Sequence, residues 1–151
     1  MYKLYIMYIF GVYGLGITYF QATMHFKGYT HMILDDLKAH LVALNLAQGD
    51  EIIFDFDSKN ENTILIKKTG SNPTDLGFRS KIEIVAKNTS QQTAITKINE
   101  IWQALCPQDN FQKAILINNK TMHTKTEKEP YFRKKDQQGR FYYVFEMTVT
   151  Y

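Results

Sequence analysis

The spacing of apolar residues changes period several times along the chain, and each change predicts an element. Residues His31 to Leu46 (HMILDDLKAHLVALNL) repeat at helical spacing, with Leu34, Leu37, Leu41 and Leu44 on one face and Ile33 beside them. Asp35 and Asp36 are expected in the first turn of this helix, where its dipole favours negative charge, and Gly49 supplies its stop. Glu51 to Phe56 alternates, placing Ile52, Phe54 and Phe56 together. The polar stretch Asp57 to Asn62 then reads as a turn and Thr63 to Lys68 as the returning strand, a β-hairpin with a long loop.

Gly, Pro, Ser and Asn crowd Thr69 to Gly77, which predicts a loop. Phe78 to Lys87 alternates again. Phe78, Ile82, Ile84 and Ala86 face one way and Arg79, Lys81, Glu83 and Lys87 the other, a strand with one wet face on which Val85 is the exception. Asn88, Thr89 and Ser90 offer helix caps. After them Ala94, Ile95, Ile98, Ile101, Trp102 and Leu105 form a helical stripe that Pro107 ends.

Phe111 to Asn118 reads as a strand, Thr121 to Lys128 as a polar strand that is exposed or at an edge, and Arg133 to Arg140 as a turn with a charged rim. The final strand, Phe141 to Tyr151, puts Phe141, Tyr143, Phe145, Met147, Val149 and Tyr151 on one face. Such a strand either closes a core or pairs with a neighbouring subunit. The order is α-β-β-β-α-β-β-β. Hairpins dominate it, so the expected fold is α+β: a mostly antiparallel mixed sheet with both helices packed on it.

The first thirty residues break this pattern. Leu4 to Phe20 carry no charge over seventeen residues and follow Lys3, at the short limit of a membrane-spanning helix. Gly11, Gly14 and Gly16 among six aromatics make a poor soluble helix. Three readings fit: a membrane anchor, an arm packed on the domain or on a neighbour, or upstream sequence read from a start placed too early, with Met32 opening the first amphipathic helix. The chain therefore divides into a hydrophobic extension, residues 1–30, and a single domain, residues 31–151.

Composition agrees with one ordinary domain: 151 residues, 44% hydrophobic and 22% charged. Eighteen basic and 15 acidic side chains give a net charge of +3, too mild to imply nucleic acid or lipid. The single cysteine, Cys106, excludes an internal disulfide and reads as a packed helix-end thiol.

Catalytic patterns are incomplete. Asp55, Asp57 and Glu61 lack the glycine of a Ca²⁺ loop, with Asn60 standing in its place, and read as a solvated turn. A metal-dependent nuclease would want a Glu-x-Lys on the next strand, but Glu83 is followed by Val85. His25, His31, His40 and His123 have no partners at ligand spacing. No phosphate loop or nucleophile elbow is present. The sequence therefore predicts no enzyme activity, no cofactor and no metal. The densest charge is Arg133, Lys134 and Lys135 with Arg140 across the turn, joined by Lys120, Lys125 and Lys128. It reads as a solvated turn, or as a rim that docks an acidic protein or passing DNA.

Three patterns carry a family resemblance over about four fifths of the chain: the leucine helix leading into the acidic hairpin; FRSKIEIVAKN running directly into TSQQTAITKINEIWQAL; and Pro130-Tyr131-Phe132, then Lys135 to Arg140, then the aromatic strand. From Met32 to Tyr151 the chain resembles the minor capsid or tail terminator (tail completion) proteins of long-tailed bacteriophages and prophages. The resemblance implies a structural virion protein, present in the host cytoplasm during assembly. It would form a homo-oligomeric ring, commonly a hexamer, on the head-facing end of the tail tube. Its partners would be the tail tube protein and a head completion protein, with DNA only as passing cargo, and its role would be head–tail joining. Contacts are expected in Thr69 to Gly77, at Asn72 and Asp75, and in Lys125 to Arg140, at Lys125, Lys128, Arg133, Lys134, Lys135 and Arg140. The hydrophobic extension departs from the family. The alternative is a small membrane-anchored protein with a cytoplasmic α/β binding domain.

Overall fold

The computed structural model describes residues 27–150, apart from 55–58, 75–76, 107–111 and 118. Two helices and six strands follow one another in the expected order: α1 (Lys27–Ala43), β1 (Ile52–Phe54), β2 (Thr63–Thr74), β3 (Gly77–Asn88), α2 (Gln91–Leu105), β4 (Lys113–Ile117), β5 (Lys120–Lys135) and β6 (Phe141–Thr150). The strands form one mixed sheet in the order β1-β2-β3-β6-β5-β4. The fold is α+β.

One face of the sheet carries both helices. Ala94, Ile98, Ile101 and Leu105 of α2 are buried against β3, β5 and β6, while α1 meets β2 and β4 near opposite edges. The sheet therefore curls around its helices. Ile33, Leu34, Leu37 and Leu41 of α1 join Ile66, Ile84, Phe145, Met147 and Val149 in the main core. Burying a side chain of this size contributes about 1.5–3 kcal/mol. Ser90 caps α2, its hydroxyl accepting from the Thr93 amide at 3.3 Å.

Several sequence expectations are corrected. Helix α1 starts at Lys27, so it takes in Met32, and Asp35 and Asp36 lie beyond its first turn. Asp36 is instead buried, 3.7 Å from Lys120 Nζ. The helix ends at Ala43, closed by Asn45 rather than Gly49. Asn45 has φ 55°, and the Leu46 amide donates to Leu41 O while the Asn45 amide donates to Val42 O, a Schellman closure. Leu44, beyond that end, is exposed rather than core.

The expected hairpin between β1 and β2 is a parallel pair, Ile52 opposite Ile64. The short link suffices because β1 is three residues long, so the chain retraces only about 10 Å. The expected loop Thr69 to Gly77 belongs largely to a continuous β2–β3 ladder with a register shift between Lys68 and Gly70. Beyond β1's reach this part of β2 is a sheet edge, where Pro73 removes no ladder bond from an inner strand. The segment Thr121 to Lys128 is not an outer edge at its start, since Lys120 to Thr124 pair with β4 and, from His123 on, with β6 as well. The expected turn at Arg133 is still strand, and the chain reverses at Asp136–Gly139, with Gly139 at φ 80°. The aromatic strand β6 is central, between β3 and β5.

Candidate interaction surface

The helix-free face of the sheet is the most distinctive surface among the described residues. Alternation along each strand decides what it carries. Register places Leu65, Val85 and Val144 in a row across β2, β3 and β6, with Ile53 beside Leu65 and Tyr131 beside Val144. Together with Tyr142 these make a second, smaller core. Val85 is therefore no exception on a wet face. The face is covered at Glu83, Val85 and Lys87, which are 8%, 2% and 3% exposed.

The cover comes from long side chains of β5. Arg133 forms a bidentate pair with Glu83, Nη1 to Oε1 at 2.7 Å and Nη2 to Oε2 at 2.5 Å. Arg133 also donates to the Tyr131 hydroxyl, which donates to Glu146. Lys128 Nζ stands 3.7 Å from the centre of the Tyr131 ring, and Lys134 Nζ 4.5 Å from that of Tyr142. These hydrogen bonds hold the Glu83 carboxyl below its ordinary range, against the opposing effect of burial.

Around this cover the outermost charges are basic. Lys67 of β2, Arg79 and Lys81 of β3, and Lys125, Lys128 and Lys134 of β5 all reach solvent on this face. The acidic groups there are Glu146, Glu127, which accepts from Thr148 Oγ1, and Glu129 at a register shift.

The structure thus brings Lys125, Lys128, Arg133 and Lys134 onto one face, with Asn72 on the same side of β2 opposite Arg79. It separates Lys135, which lies over Phe141 on the helix side. Asp75 lies outside the described residues, as do Asp55 and Asp57.

Arg140, expected at a contact rim, is only 9% exposed and is a fastener. Its Nε donates to Asp136 Oδ2 at 2.7 Å and its Nη1 to the Lys59 carbonyl at 3.0 Å, tying the β5–β6 turn to the segment before β2. Asp136 also accepts from the amides of Gln138 and Arg140 and from the Tyr142 hydroxyl. Burial opposes its charge, but the Arg140 and Tyr142 hydrogen bonds outweigh that and bring its carboxyl down to about 2.

Tyr142 and Glu146 carry no sequence signal of their own, while Glu83 reads from sequence as a wet-face residue and Tyr131 only as part of the resemblance. The available signal was Val85, an apolar residue in an otherwise charged alternation, which marks a face with something lying on it.

Other groups are structural. Cys106 is buried 3.7 Å from Met147 Sδ, and burial raises its thiol to about 11. Trp102 Nε1 donates to Thr126 Oγ1 at 3.0 Å, and the Thr124 hydroxyl donates to the Leu105 carbonyl. His40 titrates below its ordinary value because it is partly buried and near Lys113. A pocket of about 170 Å³ opens between the first half of α2 and the ends of β2 and β3. Its Lys97 is already bound to the Leu46 carbonyl at 2.8 Å. Among the described residues no three His, Cys, Asp or Glu side chains cluster as metal ligands, and no helix is long and apolar enough to cross a membrane. No protein-family model matches this chain, and no curated protein matches it.

Proposed function

We propose that this protein is a virion assembly component of a long-tailed bacteriophage or prophage, a tail-completion protein that works by binding and geometry. In this reading it forms a ring, six subunits by the resemblance, on the head-facing end of the tail tube. There it stops tube growth and offers a surface to a head completion protein. The observation that carries the reading is the element order. The α-β-β-β-α-β-β-β succession read from the residues, on which the resemblance partly rests, is the one the chain adopts.

A second feature supports it. A closed head-to-tail ring needs two different surfaces on each subunit. Among the described residues the large exposed apolar side chains stand on three elements, with Val42 and Leu44 at the end of α1, Leu116 on β4 and Phe132 on β5. Where β5 runs beyond β4 and β2 beyond β1, the exposed edges are poor templates for adding another strand. Pro130 and register shifts interrupt β5, and Gly70 and Pro73 interrupt β2. Side-chain contacts therefore fit ring assembly better than strand addition.

The test is deletion of the reading frame in the phage or prophage that carries it, followed by induction and electron microscopy. Overlong tubes, or heads and tails that fail to join, are the expected result. Normal infectious virions would remove the role and leave the membrane-anchored reading of Leu4 to Phe20 as the one to pursue.

A further inference from the structure

We infer that the helix-free face of the sheet binds the phosphate backbone of double-helical nucleic acid directly and without reading sequence. Charge segregation carries the inference. The whole chain has a net charge of only +3, yet six solvent-reaching cations (Lys67, Arg79, Lys81, Lys125, Lys128 and Lys134) stand on this face with three carboxylates besides the Arg133–Glu83 pair. Five of the cations stand on β3 and β5, either side of β6, and Lys67 stands on β2. Strand spacing puts β3 and β5 about 10 Å apart, with Arg79 and Lys81, alternate residues of one strand, about 7 Å apart. A duplex presents one charge per roughly 1.7 Å of axis and takes up such a spread of cations by releasing its counterions.

Two features favour a nucleic acid over an acidic protein. Five of the six cations are lysines, a residue depleted from packed protein interfaces and suited to diffuse phosphate charge. Between the cations, the apolar side chains of this face are already spent on its own small core. Leu65, Val85, Tyr142 and Val144 are 8%, 2%, 4% and 0% exposed, and the exposed Leu116 stands outside them on β4, so no apolar anchor lies among the cations for a protein partner.

One further feature favours a duplex over a single strand. Single-strand binders stack bases on open aromatic rings. Here Tyr142 is buried and Lys128 lies over Tyr131 at 3.7 Å from its ring centre.

The proposal does not rest on the ring reading, because binding is measured on the purified chain whatever its oligomeric state. The experiment uses the full chain and a fluorescent 25-base-pair duplex of arbitrary sequence (~25, a length covering a face of this width), titrated by anisotropy at several salt concentrations. The expected slope of log affinity against log salt is about −3 to −5. Lys125→Gln with Lys128→Gln should weaken binding about tenfold or more and reduce the slope by about 2. Lys97→Gln with Lys135→Gln, which removes the same charge from the helix side of the sheet, should change affinity less than about twofold. Circular dichroism checks that both variants fold. Four results would overturn the inference: no binding at about 50 mM salt; equal loss in both double variants; displacement of the duplex by poly-glutamate at equal charge, which would assign the face to an acidic polypeptide; or equal displacement by a single strand of the same length.

Discussion

Glu83 and Arg133 show how much one pair can hold in place. The carboxylate is 11% exposed and the guanidinium 35%. Removing Arg133 strands a nearly buried charge, whereas removing both partners for apolar groups leaves nothing unpaired. Arg133→Met is therefore predicted to destabilise by about 2 kcal/mol, a value below the fully buried case because the guanidinium is partly wet. The Glu83→Leu/Arg133→Met double variant should recover most of that loss, as read by urea denaturation. The same pair and Asp136 set a pH dependence. Both carboxyls titrate below their ordinary values, Asp136 at about 2. A carboxylate lowered in the folded state adds stability above its unfolded pKa and loses it as pH falls through the folded one. The urea midpoint should therefore be insensitive to these groups above about pH 5 and drop between about pH 5 and 2. Glu83→Gln and Asp136→Asn should each lower the midpoint at neutral pH and flatten that acid limb. An acid limb unchanged in both variants would contradict the assignment.

At the scale of elements, the end of α1 depends on a single residue in the left-handed region. Asn45, at φ 55°, adopts it more readily than other non-glycine residues. Asn45→Ala is predicted to cost about 1 kcal/mol, and Asn45→Gly to be neutral or stabilising by a few tenths, as measured by thermal melting. The elements legible in the sequence were those with their own periodic stripe. Helix α2 shows this best, since Ala94, Ile98, Ile101 and Leu105 are buried as their spacing predicts. The start of α1 was hidden because Lys27 to His31 carries no such stripe. The distal half of β2 was hidden because Gly70, Ser71, Asn72 and Pro73 favour a loop locally. Pairing with β3 overrides that preference, and a ladder between strands leaves no local trace. The parallel placement of β1 was hidden for the same reason. The candidate surface was half legible. Lys125, Lys128, Arg133 and Lys134 stood out as charge, but their convergence with Glu83, fifty residues away from Arg133, depends on strand order.

At the scale of the whole molecule, the curled sheet gives the protein two unlike sides. One encloses α1 and α2 around the main core, and the other is a thin apolar cluster roofed by tyrosines, lysines and an arginine–glutamate pair. A subunit built this way can expose a charged sheet face while its flanks, with Leu44, Leu116 and Phe132 exposed, contact neighbours. Ring assembly is the central claim, and its most direct measurement is the mass of the purified full-length protein by light scattering coupled to size exclusion, across a range of concentrations. The account predicts a discrete closed oligomer at a whole multiple of the 17.7 kDa protomer, six by the resemblance, with a ring in electron micrographs. A species that stays at 17.7 kDa at every concentration would contradict it.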